Sequence, residues 1–128
     1  MKDITRISQL LSQIIYHQKL YNKYFMVPKT KVTMTFLNFL IAEGLLNGYT
    51  LKNEMIEIHL KYDTGGEPVL TIARKISTNR KKVSISRREL ERLNSQCGIY
   101  ILSTQYGFIN QASALAMNTG GLLLYYLR

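Results

Sequence analysis

The spacing of apolar positions in the first third of the chain predicts two amphipathic helices. Apolar side chains recur at intervals of three and four residues over 4–15 and again over 32–40. Asp3 and Thr30 precede these runs and are suitable N-cap residues, and Gly44 follows the second run as a stop signal. Because such a stripe is usually the face that a helix buries, we assign it to the core rather than to a ligand site.

Alternation with a period of two predicts strands after each helix. A short strand is expected over 24–27, immediately before Pro28, and a hairpin over 45–51 and 55–62 with its turn at Lys52 and Asn53. In the second arm every other residue is apolar, so this strand should bury one face and expose the other. The order helix, strand, helix, hairpin is that of an α+β domain.

The segment DTGGEP at 63–68 is the strongest turn signal in the chain, and we place a domain boundary within it. An N-terminal α+β domain then occupies residues 1–66 and a C-terminal, mostly-strand domain with a short helix occupies residues 67–128. The second domain is predicted to contain strands at 69–77, 82–86, 98–104 and 122–127, a helical turn at 87–93 and a short helix at 110–117. The fold class is therefore α+β with two small domains.

Positive charge is the most unusual feature of the composition. Seventeen Lys and Arg residues stand against eight Asp and Glu, which gives a formal net charge of +9 over 128 residues. Nearly half of the basic residues follow one another in one stretch, interleaved with apolar residues: Arg74, Lys75, Arg80, Lys81, Lys82, Arg87, Arg88 and Arg92. A polyanion is the favoured partner. A merely solvated surface is the alternative, and a membrane is disfavoured because no helix has a basic amphipathic face.

The residue combinations that catalysis requires are missing from the sequence. His17 and His59 lie far apart, with no Cys or carboxylate at metal-ligand spacing. The single cysteine, Cys97, abuts a predicted buried strand and is interpreted as a small apolar residue in a reducing compartment. The paired glycines match no phosphate-binding motif. We expect no enzyme, no metal, no cofactor, no small-molecule substrate and no targeting segment.

A polar turn after the apolar strand at 98–104 is the strongest candidate contact site. Its five residues can donate hydrogen bonds or bring backbone close to a ligand: Ser103, Thr104, Gln105, Tyr106 and Gly107. Polar turns are common, so the turn alone would not decide the function.

The motifs around this turn resemble the S-eight family of small-subunit ribosomal proteins. GIYILSTQYG at 98–107, followed by a short helix and a Gly pair, is similar to the closing segment of that family. VPKTKVTMTFLNFLIAEGLLNG at 27–48 and IHLKYDTGGEPVLTIARKIS at 58–77 match further family motifs in the same order. The resemblance implies two small α+β domains that bind a helical element of the central domain of small-subunit ribosomal RNA without catalysis. Neighbouring small-subunit proteins are implied as further partners.

The resemblance and the charge together give a set of candidate RNA-binding residues. Those carried over from the family are Thr30, Lys31, Lys75, Ser77, Ser103, Thr104, Gly107, Gly120 and Gly121. The basic segment adds Arg80, Lys81, Lys82, Arg87 and Arg88, and the turn adds Gln105 and Tyr106, which replace a Ser and a Lys of the family pattern.

Several positions that are polar in the family are apolar in this chain, including Ile15, Tyr16, Leu115 and Leu122. We expect a protein neighbour to cover them, with Leu115 buried against another polypeptide; the alternative is packing within the chain's own core.

The abundance of Ile, Lys, Tyr and Asn and the absence of Trp are typical of an AT-rich genome. A ribosomal protein encoded and used in a mitochondrion is the favoured origin, with a plastid or the bacterial cytoplasm as alternatives. The alternative function is regulatory binding of messenger RNA away from the ribosome.

Overall fold

The computed structural model describes residues 2–78, 80–93 and 98–128. The chain groups into two compact units, Thr5–Thr71 and Ile72–Arg128, with the residues up to Ile4 counted with the second. We call them the N-terminal unit and the C-terminal unit and describe each by itself. The domain boundary between residues 66 and 67 stays a prediction.

The N-terminal unit combines two helices with a three-stranded antiparallel sheet. Its elements are α1 (Lys2–Lys19), β1 (Tyr24–Pro28), α2 (Lys31–Ala42), β2 (Leu46–Lys52) and β3 (Met55–Leu60). The strand order is β1-β3-β2, so the second arm of the hairpin is central. The fully buried side chains include Ile7, Leu11, Ile14, Phe36, Leu37, Leu40, Ile56 and Ile58. The helical stripes and the strand alternation predicted from the sequence therefore build this core.

Local capping signals predict the ends of the second helix correctly but not the start of the first. The Thr30 side chain accepts a hydrogen bond from the backbone N–H of Thr33 at 3.1 Å, and Gly44 follows the helix with φ +80°, both as predicted. The prediction that Asp3 caps α1 is wrong, because that helix already begins at Lys2. Acidic residues are favoured at the N-cap position and also within the first turn, where they interact with the helix dipole. The residue type therefore does not distinguish these two positions.

The predicted hairpin forms with its turn one residue later than expected. Asn53 and Glu54 connect β2 to β3, and Asn53 has φ +57°. Asparagine tolerates this left-handed conformation better than most residues, so it can take the turn position.

The C-terminal unit consists of a five-stranded antiparallel sheet with two short helices. Its elements are β4 (Ala73–Lys75), β5 (Ser84–Ile85), α3 (Arg87–Leu93), β6 (Ile99–Thr104), β7 (Gly107–Ile109), α4 (Gln111–Ala116) and β8 (Gly121–Leu127). Strand β8 pairs with β4, β5 and β6, and β7 lies beside β6. This mixture of helices and antiparallel sheets confirms the predicted α+β class.

Two predicted strands are much shorter in the structure, and one strand was not predicted. The strands expected at 69–77 and 82–86 are reduced to β4 and β5, because each pairs with only part of β8. The sequence predicts a turn over 105–107 and no strand at 108–109, yet Gly107–Ile109 pairs with the end of β6. The partner of β4 and β5 lies far along the chain, so local patterns do not report their lengths.

The core of the C-terminal unit accounts for part of the Leu115 surface. Buried Ile85, Leu90, Leu102, Ala114 and Leu123 form one cluster, and Leu115 is partly buried against it, as the alternative expects. Burial of the remaining surface of Leu115 against another polypeptide stays a prediction. The prediction for Cys97 lies outside the described residues. No helix in the described part of the chain is long and apolar enough to cross a membrane.

Candidate nucleic-acid interface

The glycine turn before β8 lies against the end of β6. A Cβ atom on Gly121 would stand 2.8 Å from the carbonyl oxygen of Ser103 and 2.7 Å from the methyl carbon of Thr104. A Cβ on Gly120 would stand 2.5 Å from the carbonyl oxygen of Ile85. Only glycine allows the backbones to approach this closely. The structure thus brings together the turn at 120–121 and the strand end at 103–104, which the sequence placed in separate motifs.

The strand-end loop, residues 103–107, is shaped by a threonine hydroxyl. Thr104 Oγ1 accepts from the backbone N–H of Tyr106 at 3.1 Å and donates to the carbonyl oxygen of Gly107 at 3.2 Å. Gly107 has φ +97°, a conformation that favours glycine. The turn presents Gln105 and Tyr106 to solvent, and Tyr106 is 56% exposed.

The two hydroxyls of the loop therefore differ in what they can do. That of Thr104 is used inside the turn. The Ser103 side chain is partly exposed, and its hydroxyl makes no hydrogen bond to any residue that the structure describes. Ser103 is the hydroxyl left to contact a ligand.

Ser77 lies inside the fold rather than on the cationic surface. Its side chain is fully buried, its hydroxyl accepts from the backbone N–H of Val83 at 2.9 Å, and it donates to the carbonyl oxygen of Leu123. It has no exposed surface with which to contact RNA. Its role in the structure is to hold the segment before β5 against β8.

Most of the predicted basic residues surround this sheet with their side chains in solvent. The backbone N–H of Thr78 donates to the carbonyl oxygen of Lys81 at 2.7 Å, and the N–H of Lys81 donates to the Thr78 hydroxyl at 2.9 Å, which closes a tight loop. The exposed cations on β4, on this loop and just after it are Arg74, Lys75, Arg80, Lys81 and Lys82. The C-terminal unit carries nine Lys and Arg residues from position 72 onwards against two Glu, and thus most of the net positive charge.

Helix α3 adds two further exposed cations. Ser86 caps the helix. Its hydroxyl donates to the Glu89 carboxylate at 3.0 Å and accepts from the backbone N–H of Glu89 at 3.4 Å. The Glu89 carboxylate in turn accepts from the backbone N–H of Ser86 at 3.4 Å. Arg87 pairs with Glu91 at 3.2 Å, whereas Arg88 is exposed on the same turn. Since a neighbouring carboxylate offsets part of the charge of Arg87, Arg88 is the stronger candidate of the two for binding a phosphate.

In the N-terminal unit, the predicted residues lie at the start of α2. The Thr30 hydroxyl is used within the cap, since it accepts from Thr33 N–H and also donates to the Thr33 hydroxyl at 2.7 Å. Lys31 is exposed beside it. A surface groove of about 300 Å³ adjoins Thr30 and is lined on one side by Arg6, Gln9 and Gln13 of α1. These three polar residues were not predicted. Their spacing of three and four residues on the solvent face of α1 was the available signal.

The histidines make ordinary structural contacts. His59 Nε2 lies 3.2 Å from a Glu57 carboxylate oxygen and 3.1 Å from the Thr50 hydroxyl, and His17 Nδ1 lies 2.9 Å from the Asn22 amide nitrogen. The Lys52 ammonium contacts Glu57 at 2.7 Å, and this hydrogen bond lowers the pKa of the Glu57 carboxyl. Within residues 2–78, 80–93 and 98–128, no three His, Cys, Asp or Glu side chains are grouped as metal ligands would be.

A family model described as ribosomal protein S8 matches residues 5–127, nearly the whole chain. The chain belongs to the ribosomal protein S8 family. It is 35% identical over 124 residues to the small ribosomal subunit protein uS8 of Bradyrhizobium sp., with 93% of each chain covered. It is 32% identical over 118 residues to that of Lawsonia intracellularis, covering 92% of this chain and 93% of the relative. It is 33% identical over 121 residues to the uS8 protein of Rickettsia typhi, with 90% of each chain covered.

These relatives confirm the resemblance seen in the motifs. This S8-family chain is a protein of the small ribosomal subunit, and its family is structural rather than enzymatic. The relatives named above are bacterial, so a mitochondrial location stays a prediction.

Proposed function

We propose that this S8-family chain binds a helical element of the central domain of small-subunit ribosomal RNA and supports subunit assembly. The family resemblance supplies the RNA element, and the C-terminal unit supplies the main surface. In this proposal the strand-end loop contacts the shallow groove of the RNA, and the exposed cations of residues 74–88 lie along its phosphates.

The observation that carries the proposal is the approach of Gly121 to Ser103. It joins the strand-end loop and the glycine turn into one continuous backbone surface. The shallow groove of an RNA helix displays 2′-hydroxyls and base edges, which are recognised by short polar side chains and backbone groups. The free Ser103 hydroxyl, the exposed Gln105 amide and the Tyr106 side chain are groups of this kind.

Charge supplies the part of the affinity that does not depend on sequence. The exposed Lys75, Arg80, Lys81 and Lys82 can neutralise phosphates and release the counterions bound there. The same argument applies to Lys31 at the entrance of α2, where the helix N-terminus also favours an anion. Thr30 contributes by fixing the start of that helix.

The source of the ribosome is a separate proposal. The AT-rich composition supports an organelle-encoded protein of the mitochondrial ribosome. Finding the coding sequence in a mitochondrial genome would establish this origin, and finding it in a bacterial chromosome would overturn it.

The test of function is a comparison of RNA affinities for the full chain. A hairpin carrying the central-domain element should bind at least tenfold more tightly than unrelated hairpins of equal length, and the protein should sediment with small subunits. Ser103→Ala should cost about 0.5–1.5 kcal/mol on the cognate hairpin only. Ser12→Ala, at an exposed serine of α1 away from this surface, is the matched control. Equal affinity for all hairpins and no sedimentation with subunits would instead favour a regulatory RNA binder.

A further inference from the structure

The N-terminal unit carries an unusual concentration of exposed tyrosines. In the segment YHQKLYNKY at 16–24, here called the aromatic corner, Tyr16 is 59% exposed, Tyr21 57% and Tyr24 55%. Lys19 and Lys23 stand between them in solvent, and the segment contains no acidic residue. Exposed aromatic side chains so close together in the sequence indicate a surface that another molecule covers.

The backbone of the aromatic corner is held in a defined shape. The N–H of Asn22 donates to the carbonyl oxygen of His17 at 3.1 Å, and the N–H of Tyr21 donates to that of Gln18 at 3.0 Å. This is the hydrogen-bond pattern that ends a helix with one left-handed residue, a position where glycine is favoured. Here it is occupied by Tyr21, with φ +57°. The chain therefore places a large aromatic side chain where the backbone disfavours one.

Neighbouring rings support the exposed tyrosines from the protein side. The His17 ring stacks on Phe25 at 4.5 Å between centroids and meets the Tyr16 ring edge-on at 5.3 Å. Tyr21 stacks on Tyr62 at 5.9 Å. Tyr16 and Tyr21 are thus each backed by a ring of the protein while more than half of their surface faces solvent.

We propose that the aromatic corner binds unpaired nucleotides of RNA by stacking. Protein surfaces that bind single-stranded RNA combine aromatic rings with cations, because bases stack on the rings and phosphates pair with the cations. Lys19 and Lys23 give the corner the charge that a phosphate backbone complements. The proposal rests on the chain acting on RNA, but it concerns a different surface and a different form of RNA from the strand-end loop.

The absence of Trp from the chain allows a direct spectroscopic test. Tyr16→Trp introduces a single indole, whose fluorescence should be quenched when the full chain is titrated with a 12-nucleotide adenine RNA. Tyr16→Ala and Tyr24→Ala should each weaken the affinity for this RNA by roughly fivefold or more, whereas Tyr16→Phe should retain it. Circular dichroism of each variant checks that the fold is intact.

Tyr106→Ala serves as the reciprocal control, since Tyr106 is equally exposed but lies in the strand-end loop. It should weaken binding of the cognate hairpin and leave the adenine RNA unaffected. Unchanged affinity of the Tyr16→Ala and Tyr24→Ala variants, with unchanged indole emission, would overturn the stacking site while hairpin binding still supported the proposed function. If those variants instead failed only to join ribosomal particles, the corner would belong to a protein neighbour and the stacking site would equally be rejected.

Discussion

Gly121 and Ser103 lie so close that no residue other than glycine fits between the start of β8 and the end of β6. The distance of 2.8 Å is measured from an ideal Cβ on Gly121 to a backbone oxygen, which cannot rotate away as a side chain would. The sheet and the proposed RNA-binding surface of this S8-family chain therefore depend on the same glycine.

We expect Gly121→Ala to lower the free energy of unfolding by about 1–3 kcal/mol, the usual cost of overpacking, as measured by urea denaturation. It should also weaken binding of the cognate hairpin, because the loop and turn move apart. Gly48→Ala is the matched control, since a Cβ there meets no atom within 4 Å. Equal stability losses in both variants would contradict the close approach.

Ser77→Ala should destabilise the chain through an unsatisfied backbone group. The substitution leaves the N–H of Val83 and the carbonyl of Leu123 without the serine hydroxyl, at a cost of about 1–3 kcal/mol in urea denaturation. The salt dependence of RNA binding should stay unchanged, because no charge is lost. A variant as stable as Ser12→Ala, at an exposed serine of α1, would show that Ser77 does not hold the sheet.

Lys81→Ala combined with Lys82→Ala should reduce the salt dependence of RNA binding. Each lost phosphate contact removes about 0.7–0.9 from the slope of log affinity against log salt concentration, so the double variant should lose about one to two units. Lys52→Ala provides the comparison, because that lysine is paired with Glu57. An unchanged slope in the double variant would place both lysines away from the RNA.

The Glu57–Lys52 pair should make a small, pH-dependent contribution to stability. The hydrogen bond from Lys52 lowers the pKa of the folded-state carboxyl, so the contribution is present above the unfolded pKa of about 4.3 and disappears as pH falls through the folded value. The stability difference between the wild type and Glu57→Gln should therefore be larger at pH 7 than at pH 3 in urea titrations. A difference that is the same at both pH values would show that the pair contributes nothing.

Leu115→Asp should unfold or strongly destabilise the isolated chain, because the carboxylate would be placed against the core of the C-terminal unit. Met117→Asp, two residues away at a side chain that is 47% exposed, should be tolerated within about 0.5 kcal/mol. Thermal unfolding of the two variants provides the comparison. Equal stability of both would show that Leu115 faces outwards.

The features that the sequence predicted well depend on residues close together in the chain. The Thr30 cap bonds a backbone group three residues ahead, and the helical turn predicted at 87–93 forms at those positions. The pairing of β4 and β5 with β8 joins distant segments, so their lengths could not be predicted from local patterns. Strand β7 forms a local hairpin with β6, but its run of three residues is too short for alternation to indicate a strand.

The candidate site, too, could be predicted from the sequence only in part. Family resemblance gathered Ser103, Thr104 and the glycine pair into one set, but only the structure shows that a Cβ at Gly121 would collide with the strand end. Ser77 follows basic residues in the sequence, and the family resemblance implies that it binds RNA. Its burial depends on Leu123, which lies 46 residues further along the chain.

Strand β8 follows, in the order of synthesis, every strand with which it pairs. While the chain is still being translated, β4, β5 and β6 have no partner in the centre of their sheet until residues 121–127 have left the exit tunnel. Nascent chains consequently cannot assemble the C-terminal surface early, whereas the N-terminal unit can fold first. A prematurely terminated chain would lack the glycine turn and the central strand together, so it should not form the proposed RNA-binding surface of the C-terminal unit.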